Sequence, residues 1–162
     1  MEKVNFKIEL EGHGWDNKWP NAVIKINDTI YINTLVPRGT NFYEFDVELP
    51  NDWHDANEKH ILSVAYTNKN FRHDIILDNE GSIVKSKFLV VKNISIEDIE
   101  LTHDIIYNLT SFTVSEDWYL KQNTKDPKTY PLIIKNELTL SWNGVWELPF
   151  ETPLYLWMLE NI

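Results

Sequence analysis

Cysteine is absent from this 162-residue sequence, which excludes disulfides, thiolate nucleophiles and sulfur-ligated zinc while leaving the redox compartment open. Arginine is scarce: Arg38 and Arg72 stand against thirteen lysines, and the formal net charge is −10. An acidic surface with so few bidentate readers of bases and phosphates speaks against a nucleic-acid partner. Alanine occurs three times, at Ala22, Ala56 and Ala65. Few strong helix formers beside many β-branched and aromatic residues favour sheet. No apolar run approaches the length of a membrane-spanning helix, so membrane insertion is not expected. The opening "MEKVNFKIEL" alternates instead of showing a charged and then apolar signal pattern. The expectation is a chain that is cytoplasmic at synthesis, leaving a cell, if at all, in a virion or by lysis. The Asn-x-Ser/Thr triplets at Asn27, Asn93 and Asn108 then carry no glycosylation meaning.

What is present points to an all-β domain. Hydrophobic residues make up 43% and aromatic residues 13%, too apolar for a disordered chain, and the length fits one domain over residues 1–162. Val4, Phe6, Ile8 and Leu10 alternate with polar residues, as do Tyr43, Phe45, Val47 and Leu49. "AVIKIN" and "TIYINTL" flank a tight turn at Asp28, and "ILSVAYT" and "IVKSKFLVV" are further strands. In "ISIEDIEL" the apolar phase switches, which a β-bulge at Glu97-Asp98 would reconcile. "DIIYNLTSFTV" continues as strand, and "SEDWYLKQNTKDPKTYP" is the longest polar connection; "NDWHDANEKH" is another. Asn143-Gly144 supplies the left-handed pair of a type I′ hairpin inside "LIIKNELTLSWNGVWELPF". Thr152-Pro153 reads as an N-cap with proline at N1, starting a short helix in "PLYLWMLE". The whole is a β-sandwich of roughly ten strands with a small helical tail.

Catalytic signatures are missing. No His-Glu-x-x-His, nucleophile elbow or phosphate-binding glycine loop occurs. His73-Asp74 and His103-Asp104 are adjacent pairs, and neighbours on a strand face opposite ways. A glycoside hydrolase or lyase would need two opposed carboxylates, which 25 acidic residues do not single out. Hard-oxygen calcium chemistry suits "TNKNFRHDIILDNEG" better, where Asn68, Asp74 and Asp78 are the candidate ligands, with Asn70, Asn79 and Glu80 nearby. The aromatics say most. Sugar rings stack apolar faces on tryptophan and tyrosine while amides, carboxylates and imidazoles take the hydroxyls. His13, Trp15, Asp16 and Asn17 in "GHGWDNKWP" have that chemistry, with Trp15 expected outside and Trp19 nearer the core; Trp118 and Tyr119 form a second candidate group. The bland reading is that these rings cap the open ends of the core. Trp142, Trp146 and Trp157 sit in or beside apolar runs and are read as core or interface.

On residues 1–101, "WPNAVIKIND", "FYEFDVEL", "KHILSVAYTNK" and "KFLVVKNISIEDIEL" resemble the jelly-roll carbohydrate-binding modules, including the calcium-dependent xylan-binding kind. That resemblance implies a non-catalytic module that binds a polysaccharide or other glycan. It also implies a loop, starting at Asn68, whose Asp and Asn residues hold calcium and sugar hydroxyls together. Where such modules carry Asn-Asp, this chain has Asn68-Lys69. Residues 102–162 are additional strands and an apolar tail, and the ending "WNGVWELPFETPLYLWMLENI" resembles phage-encoded virion or accessory proteins. The rival reading is an assembly protein without ligand. Leu154, Trp157 and Met158 would form one helical face and Tyr155 and Leu159 a second stripe, so part of the tail is expected on a neighbouring subunit of a homo-oligomer.

Overall fold

The computed structural model describes residues 1–50, 58–125 and 131–161; side chains of 121–125 are outside the description. The expected polar connection "NDWHDANEKH" lies largely outside the described residues. Two antiparallel sheets pack face to face over one apolar core, the arrangement of a β-sandwich. One sheet has the order β12 (Thr139–Leu140), β8 (Phe88–Ile96), β1 (Glu2–His13), β4 (Gly39–Leu49), with the two-residue β9 (Ile99–Glu100) also on β8. The other runs β11 (Ile133–Lys135), β10 (Ser111–Val114), β13 (Gly144–Thr152), β5 (Glu58–Tyr66), β2 (Asn21–Ile26), β3 (Thr29–Leu35). A separate hairpin joins β6 (Ile75–Leu77) and β7 (Ile83–Ser86).

Alternation in the sequence becomes alternation in burial. Val4, Phe6, Ile8 and Leu10 of β1 face Leu62 and Val64 of β5, Ile24 of β2, and Trp146, Leu148 and Phe150 of β13 across the buried core. Phe6 stacks on Phe45 at 5.8 Å and meets Phe150 at the same distance, one aromatic ring linking both sheets. A fully buried side chain of this size contributes roughly 1.5–3 kcal/mol.

Several local expectations are corrected. The phase switch between Ile96 and Ile99 is not a bulge; the irregularity in β8 lies at Lys92, where Glu9 pairs with Asn93 but Leu10 with Val91. Glu97-Asp98 is instead a two-residue hairpin turn, both residues left-handed (φ 52° and 60°), with Ile96 paired to Ile99. "DIIYNL" is not strand but lies in helix α1 (His103–Leu109). Thr102 caps it by accepting from the Ile105 amide, and Ile105 and Ile106 are its buried face. That fits the i, i+1 pair on a short amphipathic turn, a pattern period 2 cannot distinguish in so short a run. The polar connection after it contains helix α2 (Glu116–Lys125), started by Ser115, whose Oγ accepts from the Trp118 amide at 3.4 Å.

The hairpin at Asn143-Gly144 does not form: β12 joins one sheet and β13 the other. Gly144 is required for closeness, since a Cβ there would sit 2.4 Å from the Thr113 carbonyl oxygen and 2.7 Å from the Phe112 ring. "IVKSKFLVV" is two strands broken at Lys87. Helix α3 (Leu154–Glu160) follows, but Thr152 belongs to β13 and Pro153 occupies the cap position without a side-chain cap; the Thr152–Pro153 peptide is cis. Leu154, Trp157 and Met158 are buried as expected, Trp157 meeting Phe150 edge-on at 6.1 Å. Tyr155, Leu156 and Leu159 are exposed.

Candidate functional site

Strand register brings the ends of six strands to one end of the sandwich. Tyr66 ends β5 opposite Ala22 of β2 and Gly144 of β13, Gly144 in turn opposes Val114 of β10, and His13 ends β1 opposite Phe88 of β8. Side chains then tie the loops together. Asn68 accepts from the Asn21 amide at 2.8 Å and donates to the Trp19 carbonyl at 2.9 Å. Asn143 clamps the backbone of residue 69, its Oδ1 accepting from the Lys69 amide (2.7 Å) and its Nδ2 donating to the Lys69 carbonyl (3.0 Å). Its own carbonyl accepts from the Ser115 amide at 2.8 Å, joining the start of α2. Lys18 donates to the His73 carbonyl at 3.0 Å.

Between the 69–73 loop and α2 lies an open cleft of ≈ 580 Å³, within the ordinary range for small-molecule sites. Phe71 and Trp118 line it, with Asn70, Arg72, His73, Ser115 and Asp117 supplying polar groups. Behind them the rings form a continuous stack: Phe71 on Trp142 at 4.5 Å, and Trp142 on Trp118 at 5.0 Å. The Lys69 ammonium lies over the Trp142 ring at 5.0 Å, a cation–π contact. Arg72, one of two arginines in the chain, is exposed at this rim.

The sequence-nominated residues separate into two places. Trp118 is buried at the cleft wall, and Tyr119 packs partly buried against the core. His13 and Trp15 line a second, ≈ 360 Å³ hollow with Arg38, Lys85 and Phe88. His13 is held there by a 2.5 Å contact to Glu11 and stacks on Phe88 at 4.1 Å. The contact to His13 is the main reason the Glu11 carboxyl is held below its ordinary value. Asp16 and Asn17 are the left-handed residues (φ 51° and 60°) of a tight turn closed by the Lys18 amide on the Trp15 carbonyl. Gly14 permits this turn, as a Cβ would lie 1.8 Å from the Lys18 carbonyl oxygen. Trp15 and Trp19 are both half-buried. His73 and Asp74 stand in a turn and His103 begins α1, so neither adjacent pair is on a strand; His103 stacks instead on Tyr107, one helical turn away.

The nominated calcium ligands are already engaged by donors of the protein itself. Asp78 caps the turn of the β6–β7 hairpin, accepting from the amides of Glu80 and Ser82. Asn68 spends its side chain on Asn21 and Trp19. Asp74 is buried and paired with Lys87, Nζ to Oδ2 3.0 Å, while the Asn70 amide donates to the same oxygen. Lys87 also donates to the Asn68 carbonyl at 2.6 Å. Lys69 donates to Ser86 Oγ at 2.7 Å and to the Lys87 carbonyl, which also accepts from the Tyr66 hydroxyl. Burial pulls the Lys69 ammonium down to about 8, with Asp74 opposing and Lys87 adding to the shift; burial, then Asp74, pushes the Tyr66 hydroxyl up. Among the described residues no group of three or more His, Asp or Glu side chains is placed to hold a metal. The donor set fits ammonium groups, not a divalent ion.

Phe71, Asn143 and Lys87 escaped sequence reasoning. The visible signals were the break in apolar alternation at "KSK" and the asparagine before Gly144, which reads equally well as a turn. No protein-family model matches the chain, and no curated protein does. Solved structures do. One is described as vCBM60 in complex with galactobiose: 13% identity over 89% of this chain and 96% of that one, TM-score 0.54. Another is a selenomethionine form of vCBM60, described in connection with an evolutionary link by circular permutation between two families of calcium-dependent carbohydrate binding modules. It has 11% identity over 90% of this chain and 89% of that one, TM-score 0.54. The chain has the fold of these modules. The likeness reaches beyond residues 1–101, to which the sequence resemblance was confined.

Proposed function

We propose that the protein is a non-catalytic glycan-binding module whose ligand lies in the cleft between the 69–73 loop and α2. The observation that carries this reading is the Phe71–Trp142–Trp118 stack beside a polar rim. Sugars need an apolar platform next to hydroxyl-binding amides, carboxylates and cations, and this cleft places both within one hollow. Asn143 holds the loop to the start of α2 in the free protein, so little ordering accompanies binding. The fold of carbohydrate-binding modules supports the same reading.

The test is retention on a glycan array by the intact protein and by two variants. Phe71→Ala is expected to lose retention, whereas Trp15→Ala, at the other hollow, keeps it. Loss with Trp15→Ala alone would move the site to that hollow. New reducing ends released from a bound polysaccharide would replace the binding module with a hydrolase.

A second reading, assembly through α3, is favoured by one observation: Leu159 is 70% exposed, with Tyr155 and Leu156 beside it. In that reading the exposed stripe packs on a second copy. Light scattering of Leu159→Glu against the unchanged protein checks it, and an identical monomer mass for both removes it.

A further inference from the structure

The loop that walls one side of the cleft is tied to the entry of β8 by two buried ammonium groups and one carboxylate. Lys87 and Asp74 have side chains only 5% and 6% exposed, and their ion pair links the entry of β8 to the 69–74 loop. The second Lys87 contact, to the Asn68 carbonyl, returns to the end of β5. Lys69 reaches the opposite way, to Ser86 and the carbonyl of Lys87. The Asn68 and Lys87 carbonyls, Ser86 Oγ and Asp74 Oδ2 are hard oxygens of the kind calcium uses. Here each of them already accepts from an ammonium. One carboxylate faces two lysines, so an entering divalent ion would meet a net positive surrounding.

We propose that the Lys87 ammonium, with Lys69 beside it as a hydrogen-bond donor to Ser86 and the Lys87 carbonyl, is the resident counter-cation of this loop cluster, doing the work of a bound metal. The protein then keeps its loops folded, and binds at the cleft, without calcium. This sets it apart from the calcium dependence named for the modules whose fold it shares. The statement about folding stands by itself, and the statement about binding rests on the glycan reading above.

The experiment is thermal unfolding of the full chain in EDTA and in millimolar calcium chloride, with a glycan-retention arm under the same two conditions. A metal that bound only the folded state would raise the midpoint by mass action. No shift is expected; a saturable rise of roughly 4 °C or more overturns the proposal. Lys87→Met leaves Asp74 buried without its partner, and its midpoint should fall by on the order of 10 °C. The double variant Lys87→Met, Asp74→Leu removes both charges and should recover most of that loss. A Lys87→Met protein as stable as the original overturns the counter-cation role, as does a double variant no better than the single one. Retention abolished by EDTA overturns calcium-independent binding. Retention absent in both conditions sinks the glycan reading and with it the binding statement, while the midpoints still decide the statement about folding.

Discussion

Lys69 carries a charge that the fold holds at a cost. Its ammonium titrates at about 8 in the folded protein against 10.5 for an ordinary lysine, mainly because it is buried. Below about pH 8 both folded and unfolded chains carry the proton, and the desolvation penalty is present in full. Between about 8 and 10.5 the unfolded chain still binds a proton that the folded chain has released, so this group's contribution to stability rises with pH. Lys69→Met removes the rise. Urea midpoints of the two proteins at about pH 7 and about pH 9.5 should show the original gaining relative to the variant. Phe71 belongs to the same scale. It lines the cleft without being a fully buried core residue, so Phe71→Ala should weaken oligosaccharide binding by about tenfold or more, with a small effect on melting. Trp118 would be a poor substitute in that experiment, because its burial ties binding to folding.

At the scale of elements, β13 and α3 hold the most testable packing. Trp157 brings the helix down on Phe150, so Trp157→Ala should cost about 3–5 kcal/mol, read as a lower denaturation midpoint. Gly144→Ala should be destabilising by about 1–3 kcal/mol through overpacking against Thr113 and Phe112, although its backbone needs no left-handed conformation. A hairpin glycine would have failed for the other reason, strain in φ, and relief by Asn at that position would separate the two. The same elements show what could be read from sequence. Long alternating runs such as Val4 to Leu10 transferred directly to buried positions, because period 2 has one solution over so many residues. "DIIYNL" did not, because a seven-residue helix is specified by the Thr102 cap as much as by its apolar residues. Asn143-Gly144 has hairpin chemistry, but strand partners are chosen by the core, and Trp146, Leu148 and Phe150 place β13 in the middle of the opposite sheet.

For the whole molecule, the richness in aromatic residues is legible in the sequence, but which rings come together is not. Trp15 and Trp118 look alike in sequence; only register assembles Phe71, Trp142 and Trp118, which are far apart along the chain. The lysines at 69 and 87 were equally opaque, since a buried ammonium and a solvated one have the same letter. The central claim is that this end of the sandwich binds a glycan in the cleft between the 69–73 loop and α2. It is tested most directly by amide NMR, titrating the labelled protein with galactobiose and with the oligosaccharide best retained on the array. The account predicts saturable shifts at Lys69 to His73, at Ser115 to Trp118 and at Asn143, unchanged by EDTA. Shifts confined to the outer-face groove of Lys7, Phe42 and Asn93, or to the hollow of His13 and Trp15, would contradict it.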